Sequence, residues 1–345
     1  MQGLERFEAG DARLYRIPLQ LFPGLDGWAH LVMAPGVTVL VDVGSGFGDS
    51  NEQLAEGLRS VRQDFGEHVG WSDLTHVLIS HGHIDHYGGL SFVRQHTAAP
   101  VGIHALDRTV LTAFEKRLEA TAVRLERFLK TSGIEEEEIR SLMEQYLFPK
   151  HLFRAQEIDF VVRRGKSRLG PLETLHTPGH CPGQIVVRIG DITLTSDHVL
   201  PGITPHMAPA SLARHTGLRE YLHSLDRLEQ WAAAARLGLG GHGPPIGDVA
   251  GRLVEIRRHH EARLHAVLEA MRSPATIADV ADRLFPTAGG YHRLLALEEV
   301  GAHVEFLQAR RLIRRHTPSP GGGANAFRAR AGEPPAILRT VRPLG

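Results

Sequence analysis

The order of apolar and polar positions divides the chain into stretches with different periods. Up to residue 104, short apolar runs alternate with glycine and proline turns, and 37–43 (VTVLVDV) and 75–79 (THVLI) read as buried strands ending at polar or glycine-rich loops. A crossover helix is predicted between them over 51–61, and a further strand over 100–104 follows the segment 90–96. This is β/α alternation.

From 106 to 148 the period lengthens. Leu111, Phe114, Leu118, Leu125 and Phe128 recur at helical spacing, and Ile139, Leu142, Met143 and Tyr146 repeat it beyond Gly133, which predicts two inserted helices. The run Glu135 to Glu138 begins the second, where carboxylates complement the helix dipole. Strands return between 158 and 240 (IDFVV, LETLH, QIVVRI, ITLTS), with a helix near 218–235 before the loop GGHGPP at 240–245. After Asp248 the stripe Leu253, Ile256, His260, Leu264, Val267, Leu268 and Met271 opens a mainly helical segment. A short helix at 277–284, a longer one at about 291–311, a β-type stretch from Leu312 and a glycine turn at 321–323 complete the order of a winged helix. The tail from Pro318 reads as loose at its end.

Composition narrows the class. The 345 residues are 42% hydrophobic and 23% charged, which excludes a disordered chain and a stapled mini-scaffold. Lys+Arg and Asp+Glu are both 39, so no global field calls for nucleic acid or a membrane. A single cysteine, Cys181, excludes disulfide scaffolds and thiolate-rich metal clusters, whereas 22 histidines leave imidazole as the other common metal ligand. Glu and Arg interrupt the N-terminal stretch where a signal peptide would be apolar, and no apolar run reaches the ~18 residues of a spanning helix, so a cytoplasmic protein with no membrane partner is expected.

The chemistry concentrates in Ser80-His81-Gly82-His83-Ile84-Asp85-His86-Tyr87-Gly88-Gly89, directly after the strand 75–79. Three imidazoles and a carboxylate leave a buried strand and enter a loop of small residues, where they can converge. His81 and His83 can approach one ion from the same side while Asp85 and His86 turn toward a neighbouring position. Further on, His180, Asp197 and His242 each stand at a strand end in a turn-forming context. Each is unremarkable singly, since a lone loop histidine is usually a surface or hydrogen-bonded one.

Taken in order, the His-x-His-x-Asp-His run, a later Pro-Gly-His, an Asp at a strand end and a final Gly-His-Gly resemble the metallo-β-lactamase superfamily, over residues 14–250. The resemblance implies an α/β (α+β) fold, a four-layer αββα sandwich of two mixed sheets with helices outside and the site at one sheet edge. It implies that His81, His83 and His180 hold a first metal, that Asp85, His86 and His242 hold a second, and that Asp197 bridges them. Asp42 matches a carboxylate behind the site that orients a ligand histidine. Two divalent ions, Zn2+ first and Mn2+ or Fe2+ as alternatives, would share a water acidified to a pKa of ~7 for attack on a carbonyl or phosphoryl centre, with Asp85 steadying the leaving group.

Branches with a cysteine ligand need a thiolate where Asp197 stands, and flavodiiron-type relatives carry Glu in place of His83. The succession from Thr195 through Tyr221 to the Gly-His-Gly loop and His260 is similar to a subgroup with an appended C-terminal winged helix, which includes glyoxalase-II-like, thioesterase-like and endoribonuclease-like proteins. Domains are therefore expected at 1–250 (catalytic, with the helical insertion at about 106–150) and 251–345. Ser196 stands where relatives often have Gly. His198 and His206 are read as lining the pocket, His259 and His260 as structural, and the insertion's apolar residues as core or homodimer contacts. The expected reaction is hydrolysis of a small thioester, ester or lactone. A phosphodiesterase or endoribonuclease is the alternative, drawn from the eight Arg against two Glu between Gly301 and Gly345. A DNA-binding regulator with a metallohydrolase-fold sensor ranks last.

Overall fold

The computed structural model describes residues 3–163, 166–316 and 324–330. The glycine turn expected at 321–323, and most of the tail from Pro318, lie outside the described residues.

The described residues divide into two compact units. The first comprises the described residues of 3–114, 154–205 and 224–253, and the second those of 115–153, 206–223, 254–316 and 324–330. In the first unit, β1 (Glu5–Ala9), β2 (Ala12–Phe22), β3 (Leu25–Ala34) and β4 (Val37–Val41) form an antiparallel meander. The chain then crosses over through α1 (Ser50–Asp64) to β5 (His76–Leu78). It passes through the one-turn α2 (Ile84–Tyr87) and α3 (Leu90–His96) to β6 (Val101–His104), and later returns as β7 (Phe160–Val162). β4, β5, β6 and β7 run parallel, giving a seven-stranded sheet in the order β1 to β7. Parallel neighbours need such crossovers because a tight turn can only reverse the chain.

A second sheet, in the order β12-β11-β10-β9-β8, contains β8 (Lys166–Leu169), β9 (Leu172–His176), β10 (Ile185–Ile189), β11 (Ile192–Ser196) and β12 (Leu237–Gly240). One core lies between the two sheets, with Leu14, Val32, Val41 and Leu78 of the first against Ile185, Val187, Leu194 and Leu239 of the second. Strand alternation sends the neighbouring side chains outward. Ile17 of β2 meets α1 so closely that any side chain at Gly57 would collide with it. On the other sheet Arg188 lies over the ring of Trp231, from α7 (Leu218–Trp231), with its guanidinium carbon 4.7 Å from the ring centroid. Two sheets packed face to face with helices outside are the expected sandwich.

The second unit joins helices from distant stretches of sequence. They are α5 (Phe114–Ser132), which follows the short α4 (Arg108–Thr112), α6 (Glu136–Leu147), α8 (Val249–Ala270), α9 (Ile277–Leu284) and α10 (Tyr291–Ala309). A small sheet of β13 (Ala275–Thr276), β15 (Ala326–Ala329) and β14 (Ile313–His316) accompanies them. Gly301 of α10 packs so tightly on Phe128 of α5 that a Cβ there would lie 2.8 Å from the ring. Arg293 of α10 pairs with Glu138 of α6 at 3.1 Å. α9 starts at Thr276, whose hydroxyl accepts the Asp279 N–H while the Asp279 carboxylate accepts the Thr276 N–H, a reciprocal cap.

Candidate metal centre

Strand direction brings the candidate ligands together. β4, β5 and β6 run the same way, and β9, β11 and β12 also share a direction because β10 is antiparallel to both its neighbours. Asp42 follows β4, His81 and His83 follow β5, His180 follows β9, Asp197 follows β11 and His242 follows β12. All six sit just beyond C-terminal strand ends. α2 starts at Ile84, and its helical turn swings Asp85 and His86 away from the extended His81–His83 segment.

Two donor groups result. One donor atom from each of His81, His83 and His180 lies within 4.8 Å of the others, and the same holds for Asp85, His86, Asp197 and His242. Within the first group His81 Nε2 and His83 Nδ1 are 3.1 Å apart. Within the second, His242 Nε2 is 3.4 Å from carboxylate oxygens of both Asp85 and Asp197, and His86 Nε2 is 3.4 Å from Asp197. Asp197 Oδ2 also lies 3.8 Å from His180 Nε2, so this carboxylate stands between the groups. A tetrahedral ion with bonds of ~2.0–2.1 Å separates its ligand atoms by about 3.3 Å, and these spacings match. His86 Nε2 and Asp197 Oδ1 are buried with no hydrogen-bond partner beyond their own 3.4 Å approach, as atoms shared around a cation would be.

Hydrogen bonds behind the donors set which nitrogen faces inward. His86 Nδ1 donates to Asp42 Oδ2 at 2.9 Å, and His242 Nδ1 donates to the Asp26 carbonyl at 2.7 Å, so in both rings Nε2 turns to the carboxylates. Asp42 also accepts the N–H and the hydroxyl of Ser80, at 2.7 and 2.8 Å. The Ser80 hydroxyl in turn meets Ser196 Oγ at 2.6 Å and His81 Nδ1 at 3.1 Å. Asp42 and Ser196 both have left-handed backbones, φ 61° and 46°. That conformation is uncommon outside glycine; the Asp42–Ser80–Ser196 bonds hold it in place, and Ser196 keeps the loop shape that Gly would adopt freely. Gly241 has no such freedom to change, since a Cβ there would collide with Asp197 Oδ1 and His86 Cε1.

Charge follows from burial and mutual proximity. Burial pushes His83 down to about 3 and His81 well below its ordinary value, keeping both imidazoles neutral and their lone pairs available. Burial opposes a proton on His242 and His86 too, but the nearby carboxylates outweigh it. Asp197 and Asp85 raise His242 to about 10, and Asp197, Asp42 and Asp85 raise His86 well above its usual range. Burial also works against ionised Asp85, yet His86 and His242 bring it down to about 2. The carboxylates thus create a field that attracts positive charge.

The second supporting carboxylate, Asp107, carries no signal beyond being a polar residue just past a strand end. It follows β6, accepts the Gly82 N–H at Oδ2 (2.8 Å) and the Gly183 N–H at Oδ1 (2.8 Å), and receives Cys181 Sγ at 3.3 Å. It therefore ties the turn between His81 and His83 to the turn after His180. The supporting role of Ser80 is equally silent in the sequence, although the residue directly precedes His81. His198 is fully buried, where burial lowers it to about 3. His206 falls in the second unit, bonded to Glu298 at 2.6 Å.

A sequence model of the metallo-beta-lactamase superfamily matches residues 23–236. The chain belongs to this superfamily. A metallo-beta-lactamase family protein from Thermus thermophilus superposes with a TM-score of 0.74 at 26% identity, over 92% of this chain and 98% of that one. A beta-lactamase domain protein from Burkholderia ambifaria shares the fold with a TM-score of 0.70 at 22% identity, over 94% of each chain. No curated protein has a matching sequence. The fold of a metallo-beta-lactamase superfamily member, with a divalent metal site built from His and Asp, makes this chain a metal-dependent hydrolase. Among the described residues no helix is long and apolar enough to cross a membrane.

Proposed function

We propose that the chain hydrolyses a small thioester, ester or lactone with two divalent cations, zinc first among them, held by His81, His83 and His180 and by Asp85, His86 and His242, with Asp197 between. The observation that carries this reading is the pair of donor groups joined by one carboxylate. All-nitrogen and oxygen donors suit zinc and also manganese or iron. When bound, the cations supply Lewis acidity and an acidified water.

The chain's own residues do the rest. His81 and His83, neutral through burial, present lone pairs, while Asp42 and the Asp26 carbonyl aim His86 and His242. Asp85, ionised and beside His242, orients the attacking water. The water oxygen goes to the acyl carbon as Asp85 takes up the water's proton, the bond to the leaving sulfur or oxygen breaks, and Asp85 passes that proton to the leaving atom. The preference for an acyl centre over a phosphodiester rests on charge. The largest electrostatic influences on His81, His83, Asp85, His86, Asp197 and His242 come from burial and from one another, His180 or Asp42, with no Arg or Lys among them. An Arg or Lys beside the cations would add a grip on anionic phosphoryl oxygens, beyond what two cations supply by themselves.

Metal content measured beside hydrolysis of acyl thioesters, lactones, a p-nitrophenyl ester, a bis-p-nitrophenyl phosphodiester and single-stranded RNA tests the proposal. Acyl substrates should lead, and His83→Ala or Asp197→Ala should remove metal and hydrolysis together. Preferential phosphodiester cleavage would reverse the assignment of substrate class, and full hydrolysis by either variant would remove these residues from the reaction.

A further inference from the structure

The second unit holds another group of donors, separate from the centre described above. His260 on α8 and Glu299 and His303 on α10 each place one donor atom within 4.8 Å of the others. Glu299 and His303 are four residues apart and so share a face of their helix. His260 is fully buried while its neighbour His259 is exposed.

The two imidazoles meet nitrogen to nitrogen, with His260 Nδ1 3.3 Å from His303 Nε2. That distance is the ligand-to-ligand edge of a tetrahedral site with ~2.0–2.1 Å bonds. His303 Nδ1 donates to the Glu299 carbonyl at 2.7 Å, so its Nε2 is the acceptor that faces His260 Nδ1, and a cation would take the place of the proton shared between those two nitrogens. Both rings are fully buried, and burial lowers both, so neither side chain is a ready proton carrier. Glu299 brings the negative charge. Its Oε1 lies 3.7 Å from His303 Nδ1, and its Oε2 accepts the Met207 N–H at 3.1 Å, which fixes the carboxylate. Arg263 is the opposing charge and depresses both histidines, but its guanidinium is turned over the Phe285 ring, 4.4 Å from the centroid.

We propose that His260, Glu299 and His303 bind one further transition-metal cation, of the zinc type, that clamps α8 to α10. Two imidazoles and a carboxylate are a donor set zinc accepts with one position left for water. This inference does not depend on the proposed acyl hydrolysis.

The test uses the full chain stripped with chelator, reloaded with Zn2+, desalted and analysed for metal per chain, with circular dichroism as the check on folding. His83→Ala/Asp197→Ala, with the main centre disabled, should retain one equivalent, and adding His303→Gln or Glu299→Gln should remove it. Single His303→Gln and Glu299→Gln proteins should lose one equivalent relative to wild type while keeping the remainder. Co2+ loaded into the disabled variant should give visible absorption of a low-symmetry site that disappears with His303→Gln. If one substitution prevents folding, the other decides. Loss of all metal from the disabled variant, or equal metal content with and without His303→Gln, overturns the proposal and leaves a hydrogen-bonded pair of neutral histidines.

Discussion

The Asp107 carboxylate accepts the Gly82 N–H at 2.8 Å, which places a buried anion directly beneath the turn that separates His81 from His83. Its other oxygen takes the Gly183 N–H, at a position where a Cβ would collide with the same carboxylate. Asp107→Ala should weaken metal binding by roughly 10–100-fold, the usual effect of removing a group that orients ligands. Asp107→Asn, which can still accept through one oxygen, should fall between. Competition with a chromophoric chelator measures both, and an unchanged affinity in Asp107→Ala would contradict the linking role.

Asp42 takes three hydrogen bonds from Ser80 and His86. Asp42→Ala strands those donors in a buried site, at about 1–3 kcal/mol for each one left unsatisfied. The expected outcome is a drop in melting temperature together with loss of metal. A variant that keeps its melting temperature would mean that water or relaxation satisfies the Ser80 and His86 donors.

Gly241→Ala tests the fit between the two sheets' loops. Its methyl group would meet Asp197 Oδ1 and His86, so Asp197 must move away from His86 and His242. Metal content and hydrolysis should fall at least tenfold, with secondary structure by circular dichroism unchanged. Wild-type metal content would show that the 240–243 loop yields without cost.

In the second unit, burial opposes a proton on His206, but its 2.6 Å bond to Glu298 overcomes this and raises it above its ordinary value of 6.5. A raised folded-state value stabilises the fold fully below pH 6.5 and loses that contribution as pH climbs through the folded-state value. The stability gap between wild type and Glu298→Gln should therefore be widest, about 1.5–3 kcal/mol, at acid pH and shrink as pH rises. Urea melts from pH 5.5 to 9 measure it, and a gap that grows with pH would refute the assignment.

Much of the local structure was legible in the chain. The helix expected at 277–284 matches α9 because a capping pair, Thr276 and Asp279, marks its start and an apolar face repeats through it. The break between the inserted helices falls at Gly133, whose φ is 93°. The strand expected at 37–43 stops at Val41 because Asp42 turns left-handed to reach Ser80, a demand made by residues 38 positions away. Asp107 was not legible for the same kind of reason. A lone Asp after a strand reads as a turn residue, and its two partners lie 25 and 76 residues along the chain.

The sequence by itself determined the donor chemistry, because one cysteine among 345 residues leaves imidazole and carboxylate, and the spacing of His81, His83, Asp85 and His86 is local enough to be read in order. It also determined where helix and strand periods lie, since those depend mostly on neighbours, although a contact 38 residues away set the end of β4. Tertiary structure decided which isolated residues join that run. His180, Asp197 and His242 come together because β9, β11 and β12 end at one edge, and strand pairing is a long-range choice that period and composition do not encode. It also separated His260 from His259, burying one beside His303 and leaving the other in solvent, a distinction set by which helix face finds a partner.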